Sequence, residues 1–336
     1  MTGYLVTMHH GDAQHMTDIP DESVQCIITS PPYWQQRVYD VPDIEIEGWK
    51  GQFGMERSPQ AYIAHSLIYL REMWRVLKLD GVIFYNIGDK YISAKGTCFS
   101  TGGNSFPSKV AKRKEEVYPL DRGNVVEMRS YGLKPKDLAL IPFRLALAAQ
   151  EAGWTIRRDI IWHKRNVAPE SVKDRPPTEH EYIFLFAKSP RYQWNYKGFC
   201  VPTRRPGELN TITGKKYRQE QSLIPPGDPQ DRGGKSQFDG LRRFRTAPER
   251  PVRSVWDFAT QGYAGKHRSV FPEKLVEICI RLATKEGDTV LDPFAGTGTT
   301  LWVAKCLGRR AIGYDLSTKY VEMAGERNAQ LTTEEA

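Results

Sequence analysis

The apolar positions of this 336-residue chain form short continuous runs that alternate with segments of helical spacing. Val24–Thr29 is largely apolar without alternation, which is typical of a strand buried on both faces. In residues 61–77 the apolar side chains recur at helical spacing, which predicts a helix. The same patterns predict further strands at 4–8, 82–87, 155–162, 181–187, 289–291 and 310–315, and further helices at 137–153, 272–283, 299–307 and 318–329. Strands that alternate with helices predict an α/β fold with a doubly wound, mostly parallel sheet.

Three stretches interrupt this alternation. Residues 35–57 are expected to be loop. Residues 93–130 are rich in Ser, Gly and Lys, and so long a connection in a compact domain is typically a lid, a binding loop or disordered. Residues 196–254 contain many prolines and paired glycines with little periodicity, which predicts an irregular insert. The expected organisation is a main domain in two parts, 1–195 and 255–336, around an insert at 196–254.

The composition, with 40% hydrophobic residues, is that of a globular protein with one large domain and a smaller one. No stretch approaches the roughly 18 apolar residues of a membrane span. Residues 1–10 lack the basic region and apolar run of a signal peptide. The five cysteines are far apart and form no Cys-x-x-Cys pair, which predicts reduced thiols, no disulfide framework and no zinc site.

The net charge of +8 is concentrated in one segment. Residues 196–253 contain 13 lysines and arginines against six acidic residues, a net charge of +7, so the rest of the chain is nearly neutral. A concentrated basic segment is typical of a polyanion-binding surface. A run of charge is also typical of a solvated loop, but the aromatic residues among these charges favour nucleic acid as the partner.

A glycine-rich turn comes directly after the predicted strand at 289–291. The sequence Asp-Pro-Phe-Ala-Gly-Thr-Gly occupies residues 292–298 and leads into a predicted helix. A strand, a glycine turn and a helix in this order are typical of a nucleotide site, where glycines let the backbone approach the ligand. The next strand ends in an acid, which can accept hydrogen bonds from ribose hydroxyls. The candidate cofactor-binding residues are therefore Asp292, Phe294, Gly296, Gly298 and Asp315.

The residues after the glycines exclude two phosphate-binding motifs. A P-loop needs a lysine directly after its last glycine, whereas Thr299 stands after Gly298. A dinucleotide fingerprint needs a third glycine, and the next three residues lack one. A plain structural turn is the alternative, but the flanking Asp292, Phe294 and Asp315 favour a site for a nucleoside cofactor without phosphates.

A second motif, Ser30-Pro31-Pro32-Tyr33, directly follows the strand Val24–Thr29. An exocyclic amine of cytosine or adenine is a poor nucleophile, because its lone pair is delocalised into the ring. The Ser30 hydroxyl and the Pro31 carbonyl are candidate acceptors for the two amine N–H bonds, and consecutive prolines fix the backbone that presents them. Tyr33 offers a face for stacking on the base. A structural Pro-Pro turn is the alternative, which the pairing with the glycine turn disfavours.

With these two motifs in this order, the chain resembles the amino-group DNA methyltransferases, which use S-adenosylmethionine to methylate N4 of cytosine or N6 of adenine. It is similar to the permuted members, in which the Ser/Asp-Pro-Pro-Tyr segment precedes the target-recognition region and the glycine turn follows it. The resemblance implies a Rossmann-like methyltransferase fold, catalytic roles for the four residues from Ser30 to Tyr33, and no metal. It also implies that residues 196–254 recognise the target and that 255–336 bind the cofactor.

Further positions match the family. Asp12 matches an acid that contacts the adenine amine of the cofactor, and residues 267–275, with Phe271, resemble the segment that holds its methionine end. Residues 81–91 resemble the strand whose end lines the site. Candidate substrate contacts are Trp34 and six basic residues of the insert, Arg204, Arg205, Lys215, Lys216, Arg242 and Arg243.

The family's adenine enzymes commonly carry Asp where this chain has Ser30, which favours cytosine as the target. The implied activity is methyl transfer by direct displacement to N4 of a flipped cytosine. Methylation of N6 of adenine is the alternative, and methylation of RNA or a DNA-binding protein with an inactive cofactor site are more distant ones. The expected partners are double-stranded DNA and a cognate restriction endonuclease, with no membrane. The expected location is the cytoplasm, in association with the nucleoid, for a protein of prokaryotic or phage origin.

Overall fold

The computed structural model describes residues 5–92, 131–167, 170–203, 209–213, 241–245, 247–260 and 271–329, with only the backbone of 209–213 and 241–245. The chain divides into two compact units, Met1–Asn195 with Ser254–Ala336 and, separately, Tyr196–Arg253. The predicted loop at 93–130 lies outside the described residues. So do four of the predicted substrate contacts, Arg204, Arg205, Lys215 and Lys216.

The described residues contain fourteen strands and five helices. The strands are β1 Val6–His10, β2 Val24–Thr29, β3 Ile44–Ile46, β4 Trp49–Gly51, β5 Leu77–Ile87, β6 Thr155–His163, β7 His180–Ala187, β8 Cys200–Pro202, β9 Leu209–Thr213, β10 Leu241–Arg245, β11 Glu249–Pro251, β12 Val255–Asp257, β13 Thr289–Asp292 and β14 Arg310–Asp315. The helices are α1 Pro59–Val76, α2 Ile141–Glu151, α3 Glu273–Ala283, α4 Thr299–Cys306 and α5 Thr318–Ala329. None of these helices is long and apolar enough to cross a membrane.

Eight strands of the first unit form one sheet in the order β1-β14-β13-β2-β5-β7-β6-β12. Neighbouring strands are parallel except where β7 pairs with β5 and with β6. The prediction of a mostly parallel, doubly wound sheet is therefore confirmed. Because β7 runs against its neighbours, its amino end lies at the same edge of the sheet as the carboxyl ends of β2, β5 and β13.

The central strands contain continuous apolar runs because both faces of the sheet are covered. All six residues of β2 are buried, as are the last seven of β5. Helix α1 begins at a serine cap, where the Ser58 side chain accepts a hydrogen bond from the backbone N–H of Ala61. It packs a face that includes Tyr62, Tyr69 and Met73 into the core. The two neighbours in the middle of the sheet, β2 and β13, come from opposite ends of the chain.

The structure adds strands that the sequence pattern did not predict. Two three-residue strands, β3 and β4, pair antiparallel within the stretch expected to be loop. The second unit, expected to be irregular, contains two antiparallel pairs, β8 with β11 and β9 with β10. Helix α2 begins four residues later than predicted, because Leu140 has a left-handed φ of 57° and Leu138 forms a β-bridge with Tyr91. Strands of three to five residues are too short to show a periodic pattern, and the pattern does not mark the exact residue at which a helix begins.

Gly298 fixes the start of α4 for two reasons. Its φ of +75° is in the left-handed region, which disfavours residues with a side chain. A Cβ at this position would lie 2.8 Å from the Cβ of Ala324 in α5, so the two helices approach closely only over a glycine. Gly325, one residue further along α5, is exposed and has no atom within 4 Å of the place of a Cβ.

These two glycines give a matched pair of substitutions. We expect Gly298→Ala to lower the free energy of unfolding by about 1–3 kcal/mol, because it combines backbone strain with a clash. We expect Gly325→Ala to raise it by about 0.5–1 kcal/mol, because alanine is the better helix former at an open position. Chemical denaturation of both variants measures the two effects. A neutral Gly298→Ala would contradict the close approach of α4 and α5.

Candidate active site

One cavity at the carboxyl edge of the sheet collects residues that are far apart in the chain. Asp12 follows β1, Ser30 follows β2, Phe294 follows β13 and Asp315 ends β14, and all four border this cavity. The pairing of β2 with β13, which sets Cys26 opposite Val290, brings the strands that precede the two motifs together. The fold therefore joins the Ser-Pro-Pro-Tyr segment and the glycine turn at one edge.

Asp292 ties these two strand ends to each other. Its Oδ1 accepts hydrogen bonds from Thr29 Oγ1 at 2.9 Å and from the backbone N–H of Phe294 at 3.1 Å. Its Oδ2 accepts from Thr300 Oγ1 at 2.7 Å. The side chain is buried, and burial raises the pKa of Asp292 to about 6 in spite of these three donors. Asp292 does not border the cavity, so its position is that of a support beneath the turn.

Asp315 presents its carboxylate at the cavity. Oδ2 accepts from the backbone N–H of Gly296 at 2.9 Å and Oδ1 from that of Ser317 at 2.8 Å. Burial raises the pKa of Asp315. Each oxygen retains a further acceptor site, which fits the predicted contact with ribose hydroxyls. No atom lies within 4 Å of the place of a Cβ on Gly296, so the space over this turn is open to a ligand.

Asp12 also borders the cavity and is held by hydrogen bonds. Its Oδ1 accepts from the Gln14 backbone N–H and from Tyr69 Oη, both at 3.0 Å, and its Oδ2 accepts from Gln14 Nε2 at 2.6 Å. Tyr69 lies on α1, and burial, together with the adjacent Asp12 carboxylate, raises the pKa of its hydroxyl. The predicted cofactor acid is thus fixed in place by the helix that covers it.

A cluster of three aromatic rings also borders the cavity. The Phe294 ring centroid lies 5.1 Å from that of Tyr69 and 5.8 Å from that of Phe53, and Phe53 lies 4.7 Å from Tyr69. Sequence reasoning identified Phe294 but missed Phe53 and Tyr69. The helical spacing of Tyr62 and Tyr69 marks only a buried face, and Phe53 lies in a stretch predicted as loop. A cavity bordered by aromatic rings and by two acids suits a flat ring attached to a sugar.

The Ser-Pro-Pro-Tyr segment, predicted to be catalytic, is connected to two strands by hydrogen bonds. Ser30 Oγ lies 3.1 Å from Tyr33 Oη. Tyr33 Oη lies 3.0 Å from Asn86 Oδ1 at the end of β5 and 2.9 Å from Glu181 Oε2 at the start of β7. Glu181 forms an ion pair with Lys164. Burial, followed by the Glu181 charge, raises the pKa of Tyr33, so the hydroxyl keeps its proton.

The rest of the segment and the following Trp34 are held by α1 and by the loop that follows β4. The Pro32 carbonyl accepts a hydrogen bond from Tyr62 Oη at 3.0 Å. Trp34 is 1% exposed, and its Nε1 donates to the Glu56 carbonyl at 2.9 Å. This buried placement gives Trp34 a structural part in place of the expected contact with the substrate. Burial raises the pKa of Glu56, whose carboxylate pairs with His65.

The predicted site residues therefore divide into two groups. Asp12, Ser30, Phe294, Gly296 and Asp315 meet at the cavity with Pro32, whereas Tyr33 contributes through its bond to Ser30. Five others do not border it, namely Pro31, which is buried, Trp34, Phe271, Asp292 and Gly298. Of the insert residues, Arg242 and Arg243 are described only by their backbone in β10. Among the described residues, no group of His, Cys, Asp and Glu is arranged to hold a metal ion.

The sheet order defines a Rossmann-like α/β fold, and the family model that matches most of the chain places the molecule in the class of Rossmann-like methyltransferases. Within that class, the chain belongs to the DNA methylase family of N6/N4 methyltransferases, whose family model matches residues 24–326. The family expected from the sequence is thereby confirmed.

Type II methyltransferases are among its relatives. M.XycI of Xanthomonas campestris pv. cyanopsidis is 35% identical over 322 residues, which cover 96% of this chain and 87% of the relative. M.SmaI of Serratia marcescens is 35% identical over 321 residues, which cover 94% of this chain and 88% of the relative. This chain is therefore similar to these enzymes over nearly its full length.

Solved methyltransferase structures share the fold. The PvuII DNA methyltransferase, described as cytosine-N4-specific, has a TM-score of 0.59 at 16% identity over 97% of this chain and 87% of its own. TTHA0409 of Thermus thermophilus, solved in complex with S-adenosyl-L-methionine, has a TM-score of 0.54 at 23% identity over 98% and 96%. At these identities the likeness establishes the fold.

The buried Asp292 predicts a pH dependence of stability. Its pKa is about 6 in the folded protein and about 3.9 in the unfolded chain, so the folded state holds a proton that the unfolded state has released between these values. The free energy of unfolding of the wild type should therefore fall, relative to that of Asp292→Asn, by about 1–3 kcal/mol from pH 4 to pH 7. Urea unfolding of both proteins across this range measures the difference. If the unfolding free energies of the two proteins changed with pH in parallel, the pKa of Asp292 would be the same in the folded and the unfolded chain.

Proposed function

We propose that this DNA methylase transfers a methyl group to the exocyclic N4 amine of a cytosine in double-stranded DNA. The observation that supports this most is Ser30, an uncharged acceptor that borders the cavity at the first position of the catalytic segment. Serine at this position favours cytosine over adenine. The PvuII enzyme, which has the same fold, is described as cytosine-N4-specific.

The methyl donor in this proposal is S-adenosylmethionine, which supplies an electrophilic methyl group when bound. The residues at the cavity fit it, because Asp315 would accept hydrogen bonds from the ribose hydroxyls and Asp12 from the adenine amine. Phe294 and Phe53 would border the adenine of the cofactor. The neighbour TTHA0409 was solved in complex with this cofactor. A role for Phe271 at the methionine end stays a prediction.

The chain's own contribution to the chemistry is to hold the target amine. Ser30 Oγ and the Pro31 carbonyl accept hydrogen bonds from the two amine N–H groups, which localises the nitrogen lone pair for attack. Tyr33, half-buried, offers the free part of its ring to the base. The amine is itself the nucleophile, so no covalent bond between protein and base is needed.

The basic second unit is proposed to bind the DNA. Its net charge of +7 and its antiparallel strands β9 and β10, which carry Arg242 and Arg243, suit contacts with phosphates. The base itself must leave the duplex to reach an amine-binding pocket. The type II methyltransferases among the relatives support a role alongside a cognate restriction endonuclease.

The identity of the modified base tests the proposal. Unmethylated plasmid DNA incubated with the protein and methyl-labelled S-adenosylmethionine is digested to nucleosides, and mass spectrometry identifies the labelled one. We expect N4-methylcytosine. Label in N6-methyladenine would overturn the choice of cytosine and keep the amine chemistry, and label in neither would overturn both.

Two substitutions separate catalysis from cofactor binding. Ser30→Ala should lower the single-turnover rate about 100-fold and leave the cofactor Kd within about twofold, because it removes an acceptor for the amine. Asp315→Asn should weaken cofactor binding about tenfold or more, because it removes a charged acceptor at the ribose. Equilibrium dialysis and rapid-quench assays measure both quantities. Wild-type turnover in Ser30→Ala would contradict its catalytic role.

A further inference from the structure

The Tyr33 hydroxyl lies among three polar atoms, and two of them can only accept. Glu181 Oε2, at 2.9 Å, belongs to a carboxylate. Asn86 Oδ1, at 3.0 Å, is an amide oxygen, and its orientation is fixed because Asn86 Nδ2 donates to the Tyr182 carbonyl at 3.0 Å. A tyrosine hydroxyl has one proton, and giving it to Ser30 Oγ would leave both of these acceptors facing an oxygen without a proton, so it goes to one of the two. The third neighbour, Ser30 Oγ, must therefore be the donor toward Tyr33.

This polarity determines what Ser30 offers to the cavity. Its single hydroxyl proton is used in the 3.1 Å hydrogen bond to Tyr33 Oη. The remaining lone pairs of Ser30 Oγ can only accept, and Ser30 borders the cavity. A target amine brings N–H donors, so an acceptor is what it needs. A serine that donated to the amine nitrogen would occupy the lone pair that has to react.

We propose that Glu181 is a positioning residue that orders this chain of hydrogen bonds, so that Ser30 meets the target amine only as an acceptor. The Ser30 hydroxyl donates to Tyr33, and the Tyr33 hydroxyl donates to the Glu181 carboxylate. This inference rests on the proposed function, because the amine is the group that Ser30 would receive.

Glu181 is the stronger of the two acceptors on Tyr33. Hydrogen bonds to a charged acceptor are about twice as strong as those between neutral groups. The Glu181 carboxylate is held by an ion pair with Lys164, and both side chains are largely buried. The ammonium group of Lys164 in turn lies 4.7 Å from the ring centroid of Trp162 in β6, and this contact helps to hold it in place. The Asn86 oxygen would remain as a weaker acceptor without Glu181.

The test is a double-mutant cycle in single-turnover methyl transfer with unmethylated plasmid DNA and labelled S-adenosylmethionine. Tyr33→Phe keeps the ring and removes the hydroxyl, and Glu181→Ala removes the carboxylate. We expect each to lower the rate about tenfold, with the Kd values for DNA and cofactor within about twofold of the wild type. Because Glu181 acts through the Tyr33 hydroxyl, the double variant should be no slower than Tyr33→Phe.

Two further variants control for structural damage. Glu181→Gln keeps an acceptor oxygen of the same shape, so its rate should lie between those of the wild type and Glu181→Ala. Glu179→Ala removes an exposed carboxylate two residues earlier, which pairs with His163, and should keep the wild-type rate. A double variant whose loss equals the product of the single losses, or a Glu181→Ala at the wild-type rate, would overturn the ordering role.

A second readout does not depend on activity. The thermal unfolding midpoints of the same cycle test the contact between Tyr33 and Glu181, and we expect the double variant to lose less than the sum of the two single losses. Additive losses would overturn the contact. If the wild type methylates no DNA while the midpoints are coupled, the proposed function fails and the hydrogen bond stands. If the wild type methylates DNA and the rate loss of the double variant equals the product of the two single losses, the ordering role fails and the proposed function stands.

Discussion

The site depends on one buried carboxylate that joins two strands from opposite ends of the chain. Asp292, at the end of β13, accepts a hydrogen bond from Thr29, at the end of β2, across 263 residues of sequence. The residue after Thr29 is Ser30, and the residues after Asp292 form the glycine turn, so this bond holds the start of the Ser-Pro-Pro-Tyr segment close to the start of the glycine turn. Burying a carboxylate has a desolvation cost, and the raised pKa of Asp292 shows that three donors do not fully offset it.

With Asp292 as the support, the other parts of the turn have separate physical roles. Gly298 is required by the approach of α4 to α5, whereas Gly296 leaves open space and donates its N–H to Asp315. The acids that face the cavity are Asp12 and Asp315, each held by hydrogen bonds from its own neighbours. Packing therefore explains Gly298, and open space for a ligand explains Gly296, although the two glycines are only two residues apart.

The sequence predicts most of the sheet because its central strands have one environment along their whole length. The bounds of β2, β14 and α5 agree with the pattern at both ends. The pattern fails where polar residues enter a strand, as at Lys78–Asp80 in β5, and in three-residue strands such as β3. The motif residues at the cavity are predictable because they are adjacent in the sequence, so that each motif is recognisable without the fold. Glu181 and Phe53 are not, because their contacts arise only when β7 pairs antiparallel with β5 and when the loop after β4 folds over α1.

The net charge of this protein is unevenly distributed along the chain, so that two proposed ligands of opposite charge meet different surroundings. The segment 196–253 carries nearly all of the net positive charge, as a partner for DNA phosphates requires. The described residues that border the cavity include Asp12 and Asp315 and neither lysine nor arginine. Negative groups in a partly enclosed cavity favour a cationic ligand and repel phosphates. A sulfonium cofactor at the cavity and the DNA backbone at the basic segment, as proposed above, would therefore occupy sites that suit their opposite charges and would not compete for one site.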